Sequence, residues 1–180
     1  MKIQEIPKLY SAMPMYHVDM PIKRLPDWIK EQQEELGLEL NPDFQRGYVW
    51  TERQQERFVE FMLAGGKTGL ELYFNHPGWM GDFEGDFVCV DGLQRITAID
   101  RFLKNEIRVF NHLYKQFDGK IGSTMAIGIN INQLQSRHAV LNWYLEINFS
   151  GTVHGQDEYV RIKDMIEHEK DQSHDAGPSM

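Results

Sequence analysis

One apolar stretch that runs straight into an aspartate, a glycine and a helical pattern constrains the fold most strongly. Residues 87–90 (FVCV) form a continuous apolar run, which is typical of a buried strand. Asp91 and Gly92 follow it, and Arg95 comes next within DGLQR. The apolar residues after this point recur at helical spacing: Ile96, Ile99, Phe102 and Leu103. The sequence therefore predicts a strand, a tight turn at Gly92 and a helix that begins at once.

This turn is a candidate phosphate-binding site. The first backbone N–H groups of a helix have no partner within the helix and carry a partial positive charge, which attracts phosphate. Gly92 allows the backbone to approach a ligand closely, and Arg95 can donate paired hydrogen bonds to phosphate oxygens. Asp91 can hold a metal-bound water or a ribose hydroxyl. In the structural alternative, Asp91 is only a helix cap and Arg95 is a solvated residue of the first turn.

A second polar segment, residues 41–50 (NPDFQRGYVW), places Gln45 and Arg46 in a loop between apolar residues. In the functional interpretation, Arg46 converges with Arg95 on one anion although the two residues lie far apart in the sequence. In the structural interpretation, which composition alone favours, Arg46 pairs with a nearby acid and Trp50 fills the core.

The rest of the pattern indicates an α+β chain with a small sheet and an α-helical C-terminal third. The predicted strands span residues 15–20, 70–74 and 87–90. Three helices are predicted to begin at Pro26, at a capping box formed by Thr51, and directly after Gly92. Two more helices are predicted at residues 132–147 and 156–168. We expect a single domain over residues 1–170. A disordered tail is predicted at 171–180, because DQSHDAGPSM is polar and contains Gly and Pro.

Composition restricts the class of protein. The net charge of −8 argues against broad, charge-driven binding to DNA. A single cysteine excludes an internal disulfide and a cysteine-rich zinc site, and it fits a cytoplasmic location. No apolar run reaches the roughly 18 residues of a membrane span, so we expect no membrane partner. The basic residues Arg101, Lys104 and Arg108 could meet a nucleic-acid backbone, but a solvated helix face is the favoured interpretation.

Together the two polar segments resemble a known family. NPDFQRGYVW followed by DGLQR is similar to the IPxxQRxYxW and DGQQR motifs of the ParB/sulfiredoxin-like group, which includes the N-terminal domain of GmrSD-type modification-dependent restriction enzymes. The segment INFSGTVHGQDEY is similar to the family's N-x-G-G-T-P-L…E segment, and the resemblance covers about residues 18–166. The chain departs from these motifs at Leu93, where the family has Gln, and at Val153, where Pro is common.

The resemblance implies a small mixed sheet with packed helices and a pocket for a nucleoside triphosphate with Mg²⁺. Carried onto this sequence, the pocket residues are Gln45, Arg46, Asp91, Gly92, Gln94, Arg95 and Asn148. Of these, Asp91, Gln94 and Arg95 are the expected catalytic residues. Asp91 is also expected to meet the Mg²⁺ that the nucleotide carries.

Three functions remain open at this point. The first is binding of a nucleoside triphosphate, with hydrolysis linked to DNA recognition or restriction. The second is a non-catalytic binding module that acts through a protein partner or DNA. The third is a DNA nickase, which is disfavoured because Asp91 is the one obvious carboxylate and Asp43 the nearest reserve. Cys89 lies before the turn, so we expect an inert core thiol rather than sulfiredoxin chemistry, and we expect a structural role for His76.

Overall fold

The computed structural model describes residues 5–6, 9–10, 15–149 and 156–175. Within these residues the chain forms four strands and five α-helices. In chain order they are β1 (Tyr16–Pro21), α1 (Leu25–Leu36), α2 (Glu52–Leu63), β2 (Glu71–Asn75), β3 (Val88–Asp91), α3 (Leu93–Leu103), β4 (Ala126–Asn132), α4 (Arg137–Phe149) and α5 (Gln156–Asp175). The α+β prediction is confirmed, including the helical C-terminal region.

The four strands form one mixed sheet in the order β1-β4-β2-β3. Strand β4 is antiparallel to β1 and parallel to β2, whereas β2 and β3 are antiparallel. Because β4 is an inner strand, its alternate isoleucines, Ile127, Ile129 and Ile131, are fully buried. The sheet thus depends on a strand that lies late in the sequence.

Strand β4 is absent from the sequence-based prediction, which begins a helix at residue 132. In the structure Asn132 instead ends β4, and α4 begins only at Arg137. Leu134 has helical spacing with the leucines of α4, yet it packs from the connection between the two elements. The prediction of a helix start at residue 132 is therefore wrong. The helical spacing of Leu134 with the leucines of α4 extended the predicted helix back across the connection and into the end of β4.

The helix starts follow the local sequence closely. The Thr51 side chain accepts a hydrogen bond from the backbone N–H of Gln54, whose side chain accepts one from the backbone N–H of Thr51. This capping box confirms the predicted start of α2. Helix α1 begins with a proline in its first turn, where the missing N–H has no partner to lose.

Two groups of buried side chains cover opposite faces of the sheet. The first joins the sheet to α1, α2 and α3, and it includes Leu72 of β2 and Cys89 of β3. The second joins the sheet to α4 and α5, and it includes Val90 of β3. Neighbouring residues of β3 thus face opposite layers, as strand geometry requires. The end of β3 therefore lies where both helical layers can reach it.

At the C-terminus, α5 ends at Asp175, so the helix runs past the predicted start of the tail at residue 171. Residues 176–180 lie outside the described residues, as do residues 150–155 of the family-like segment. None of the helices in the described ranges is long and apolar enough to cross a membrane. The cytoplasmic location stays a prediction.

Candidate functional site

The candidate site forms where β3 turns into α3. β3 ends at Asp91, and Gly92 adopts φ of +136° before α3 begins at Leu93. A Cβ atom on Gly92 would lie 2.5 Å from Cδ2 of Leu72, so this turn packs directly against β2. The N-cap residue is Gly92, which has no side chain to cap the helix. The structural alternative in which Asp91 caps α3 is therefore wrong.

A cavity of about 150 Å³ opens beside this turn. Its walls come from the 45–50 loop, from the end of β3 with the start of α3, and from α4. All seven predicted pocket residues line it: Gln45, Arg46, Asp91, Gly92, Gln94, Arg95 and Asn148. The two sequence motifs therefore meet in space at one cavity, while the roles given to their residues stay predictions.

The two arginines of the cavity each pair with a carboxylate. Nε of Arg46 lies 2.6 Å from Oε2 of Glu158 on α5, and Nη2 of Arg95 donates to Oδ2 of Asp91. The Arg95 side chain is only 18% exposed, so it is not the solvated residue of the structural alternative. Its Nε is buried and has no hydrogen-bond partner among the described residues. The cavity thus contains a guanidinium with an unsatisfied donor.

The two glutamines of the cavity hold its walls together, and we call this pair the glutamine clasp. Nε2 of Gln45 donates to the backbone oxygen of Cys89 at 2.6 Å. Nε2 of Gln94 donates to the backbone oxygen of Gly47 at 2.5 Å. Oε1 of Gln94 accepts from the backbone N–H groups of residues 49 and 50, at 3.2 and 3.1 Å. Each glutamine therefore fixes the backbone of the other segment, which positions the arginine that follows it in sequence.

The start of the same loop is held from the C-terminal helices. Arg137 Nη2 lies 2.8 Å from both carboxylate oxygens of Asp43. Arg161 donates to the backbone oxygen of Phe44 at 2.6 Å. Asp43 does not line the cavity, and both of its carboxylate oxygens accept from an arginine. Asp43, the nearest other carboxylate to the motif, is therefore paired with Arg137 outside the cavity.

Comparison with known proteins identifies the family. The family model described as the GmrSD restriction endonuclease, N-terminal domain, matches residues 25–176. The chain belongs to this family. No curated protein and no solved structure matches the chain. Both motif segments and every residue of the cavity lie inside the matched range. The family gives the chain a DNA-related context in restriction and defence, and the suspected GmrSD resemblance is confirmed.

Glu158 is the residue of this GmrSD-type site that the sequence-based prediction missed. It is 8% exposed, and Oε1 accepts a hydrogen bond of 2.6 Å from the Tyr144 hydroxyl. Burial and this hydrogen bond raise the pKa of the Tyr144 phenol, so Tyr144 stays a donor. The signal was present in the family-like segment, whose closing glutamate falls on Glu158. Asn148 lines the cavity as predicted, and its Nδ2 donates to the backbone oxygen of Tyr144 at 2.9 Å.

Other chemistry-bearing residues of the GmrSD-type domain lie outside the cavity. Cys89 is fully buried, which confirms its predicted place in the core, and burial raises the pKa of its thiol to about 12. His76 is also fully buried, and its Nδ1 accepts from the backbone N–H of Gly78 at 3.2 Å. Burial lowers the pKa of His76, so it stays neutral within an aromatic cluster that includes Phe87. Both residues fill the core.

The basic stretch after the motif makes ion pairs within the chain. Arg101 Nη2 lies 2.9 Å from Glu52 of α2, and its Nε lies 3.3 Å from Glu106. Lys104 lies 2.8 Å from Asp100 on the same helix. Because these cations already have acidic partners, the geometry favours a surface helix face over a nucleic-acid contact.

Proposed function

We propose that the cavity binds the phosphate groups of a nucleoside triphosphate. The observation that carries the proposal is the convergence on one cavity of Arg46, Arg95 and the start of α3, whose N-cap residue is Gly92. A guanidinium offers several donors in a fixed fork, and a helix N-terminus adds backbone donors and a favourable dipole.

The ion pairs of the two arginines leave donors for such a ligand. Arg46 uses Nε toward Glu158, and Arg95 uses Nη2 toward Asp91. Each guanidinium has five N–H donors, so the ion pairs do not use all of them. The paired carboxylates also hold the side chains in place before the ligand arrives, which lowers the entropy that binding costs.

The size of the cavity indicates which part of the ligand it holds. Typical pockets for small molecules have volumes of about 300–1,000 Å³. The cavity here measures about 150 Å³, which is smaller than any pocket in that range. We therefore assign the phosphates to the cavity and place the nucleoside outside it.

Asp91 suits the Mg²⁺ that accompanies a nucleoside triphosphate. Mg²⁺ at phosphate sites commonly takes one or two protein carboxylates and completes its shell with phosphate oxygens and water. Asp91 is the one carboxylate among the described residues that line the cavity. The described parts of the chain contain no group of three or more side chains that could hold a metal ion. The donor set thus fits a metal that arrives with the nucleotide, where it would neutralise phosphate charge.

We further propose that the nucleotide is hydrolysed in connection with DNA recognition or restriction, the context that the family gives. The glutamine clasp, however, favours a second candidate, a binding module without turnover. Oε1 of Gln94 already accepts two backbone N–H groups, and its Nε2 donates to Gly47. The oxygen of this amide can accept from an attacking water only if the loop around residues 47–50 first releases it, and one N–H of Nε2 is left for a ligand. The second candidate would act through a DNA or protein partner.

A titration separates these possibilities. The purified chain is titrated by calorimetry with each of the four nucleoside triphosphates and with inorganic tripolyphosphate, with and without Mg²⁺. The same samples are assayed for phosphate release. Binding of both ligand types supports the phosphate site. Release of phosphate then supports the hydrolase, and binding without release supports the module. Failure of all five ligands to bind would refute the proposal.

The isolated chain should not nick DNA efficiently. Phosphodiester cleavage requires an activated water and a metal held by more than one ligand, and Asp91 is shared with Arg95. The measurement is plasmid nicking with Mg²⁺ or Mn²⁺, with and without nucleotide, by the native chain and by Asp91→Ala. Strong nicking by the native chain that Asp91→Ala abolishes would contradict this and place the nickase first.

A further inference from the structure

A groove of about 560 Å³ lies between α1 and α3, and we call it the α1–α3 groove. Its walls include the buried side chains of Leu25, Ile29 and Ile96. Asp27 and Gln33 line it from α1 and are exposed to solvent. The groove thus combines an apolar floor with polar groups at its edge, which suits a flat ligand with hydrogen-bonding atoms on its rim.

The α1–α3 groove and the phosphate cavity share two walls. In the loop, Gly47 and Val49 line the cavity, while Tyr48 between them lines the groove. On α3, residues 94 and 95 line the cavity, and residues 96 and 97 line the groove. Neighbouring residues of both elements therefore line the two spaces, so one ligand could occupy both by crossing the loop.

Gly47 offers the crossing point. It has no side chain, its φ is +70°, and the nearest described atom to a Cβ placed on it is 3.8 Å away. The loop backbone at this point is fixed, because Gln94 donates to the Gly47 oxygen. A ligand can therefore pass close to the backbone here without displacing a side chain.

Tyr48 marks the groove side of this crossing. Its side chain is 66% exposed, so its ring is accessible to a ligand in the groove. An exposed ring on a fixed loop is a platform on which a base can stack, and stacking tolerates every base because each has a π face.

We propose that the α1–α3 groove receives the nucleobase of the bound nucleotide and that Tyr48 stacks on it. This inference rests on the proposed phosphate site, since the small cavity leaves the nucleoside outside. The base lies against the apolar floor, the sugar passes over Gly47, and the exposed polar groups of α1 meet the rim of the base. The class of ligand is therefore a nucleotide rather than a simple polyphosphate.

The test compares ligands with and without a base. Calorimetric titrations with the tightest-binding nucleoside triphosphate and with inorganic tripolyphosphate are run on the native chain, Tyr48→Ala, Tyr48→Phe and Phe61→Ala. Phe61 is a matched control, because it is an exposed aromatic residue on α2 and lines neither space. Tyr48→Ala should weaken nucleotide binding by about 5- to 150-fold and leave tripolyphosphate binding unchanged. Tyr48→Phe and Phe61→Ala should bind both ligands as the native chain does.

Three results are decisive against the inference. If Tyr48→Ala binds the nucleotide as tightly as the native chain, no stacking occurs. If it weakens both ligands equally, Tyr48 acts through the phosphate cavity and not on a base. If the native chain binds neither ligand, the proposed phosphate site itself fails, and the inference fails with it in a way that the first two results do not mimic.

Discussion

A chain in which Arg46 and Arg95 are both replaced by alanine should bind a nucleoside triphosphate about 10²- to 10⁴-fold more weakly than the native chain. A charge-assisted hydrogen bond contributes about 1.5–3 kcal/mol, and the two arginines contribute from separate segments to one cavity. The combined loss of about 3–6 kcal/mol corresponds to this range of affinity. The measurement is the ratio of dissociation constants from calorimetric titration, with tripolyphosphate as a second ligand.

The matched control replaces Arg53 and Arg101 by alanine. This variant has the same change in net charge and also loses arginines that pair with glutamates, but neither residue lines the cavity. Its affinity should stay within about twofold of the native value, because salt screens solvent-accessible charges that do not contact the ligand. An equal loss in both double variants would show that overall charge, and not the cavity, attracts the ligand.

Stability must be measured beside affinity, because each arginine has a structural partner. Without Arg46, the carboxylate of Glu158 is left with the Tyr144 hydroxyl in a buried position. We expect the free energy of unfolding to fall by about 1–3 kcal/mol. Arg95 also contributes to stability. The sequence suggested a solvated residue in the first turn, but the Arg95 side chain is mostly buried and paired with Asp91. Affinities are therefore compared per folded molecule, with the folded fraction taken from circular dichroism.

The features that sequence predicted well are those set by neighbouring residues. The run FVCV, the Gly92 turn and the helix after it depend on contacts within a few residues, and the structure has all three. The capping box at Thr51 is likewise a local hydrogen-bond pattern. The meeting of the loop with the α3 start is not local, and it came from the family resemblance rather than from periodicity.

One feature that the prediction missed had a local signal. Strand β4 alternates three isoleucines with Gly128, Asn130 and Asn132, the period of a strand, but the prediction began a helix at its last residue. The partners of its buried asparagines, however, lie on neighbouring strands far along the chain. Asn130, for example, is satisfied by Glu71 and by the backbone oxygen of Leu72. Glu158 enters the site only because α5 packs on α4, a tertiary contact that no short window contains.

The glutamine clasp explains why both motifs contain Gln before Arg. From sequence, Gln45 and Gln94 read as groups that contact the ligand or orient water. In the structure each amide is engaged with backbone atoms of the opposite segment. A side-chain amide can donate to and accept from backbone groups as a neighbouring strand would, so the loop is fixed although it pairs with no strand of the sheet. The two glutamines thus supply rigidity, and the two arginines that follow them supply charge.

Gly92→Ala should lower the free energy of unfolding by about 2–6 kcal/mol, a large stability effect for the addition of a single methyl group. Two costs combine. A φ of +136° is rarely adopted by residues with a Cβ, which costs about 1–3 kcal/mol. The added atom would also lie 2.5 Å from Cδ2 of Leu72, and overpacking of a filled core costs another 1–3 kcal/mol or so.

Gly119→Ala separates the two costs. Gly119 also has a positive φ, of +94°, but no described atom lies within 4 Å of a Cβ placed there. The decrease in the free energy of unfolding of Gly119→Ala, measured by urea denaturation, should therefore reflect backbone strain alone and be about 1–3 kcal/mol. The excess loss in Gly92→Ala measures the contact with Leu72, which is fully buried on β2 and has no space to move into. Equal decreases in the free energy of unfolding of the two variants would show that Leu72 moves to accommodate the methyl group without a measurable packing cost.

Gly92→Ala should also weaken ligand binding, because the Gly92 turn determines the positions of Asp91 and of the first N–H groups of α3. If the turn moves away from Leu72 to make room for a methyl group, the start of α3 shifts relative to the loop that the glutamine clasp holds. The folded fraction of Gly92→Ala should then bind tripolyphosphate more weakly, while Gly119→Ala binds it as the native chain does. Native affinity in folded Gly92→Ala would mean that the arginines alone hold the phosphates and that the helix N-terminus contributes nothing.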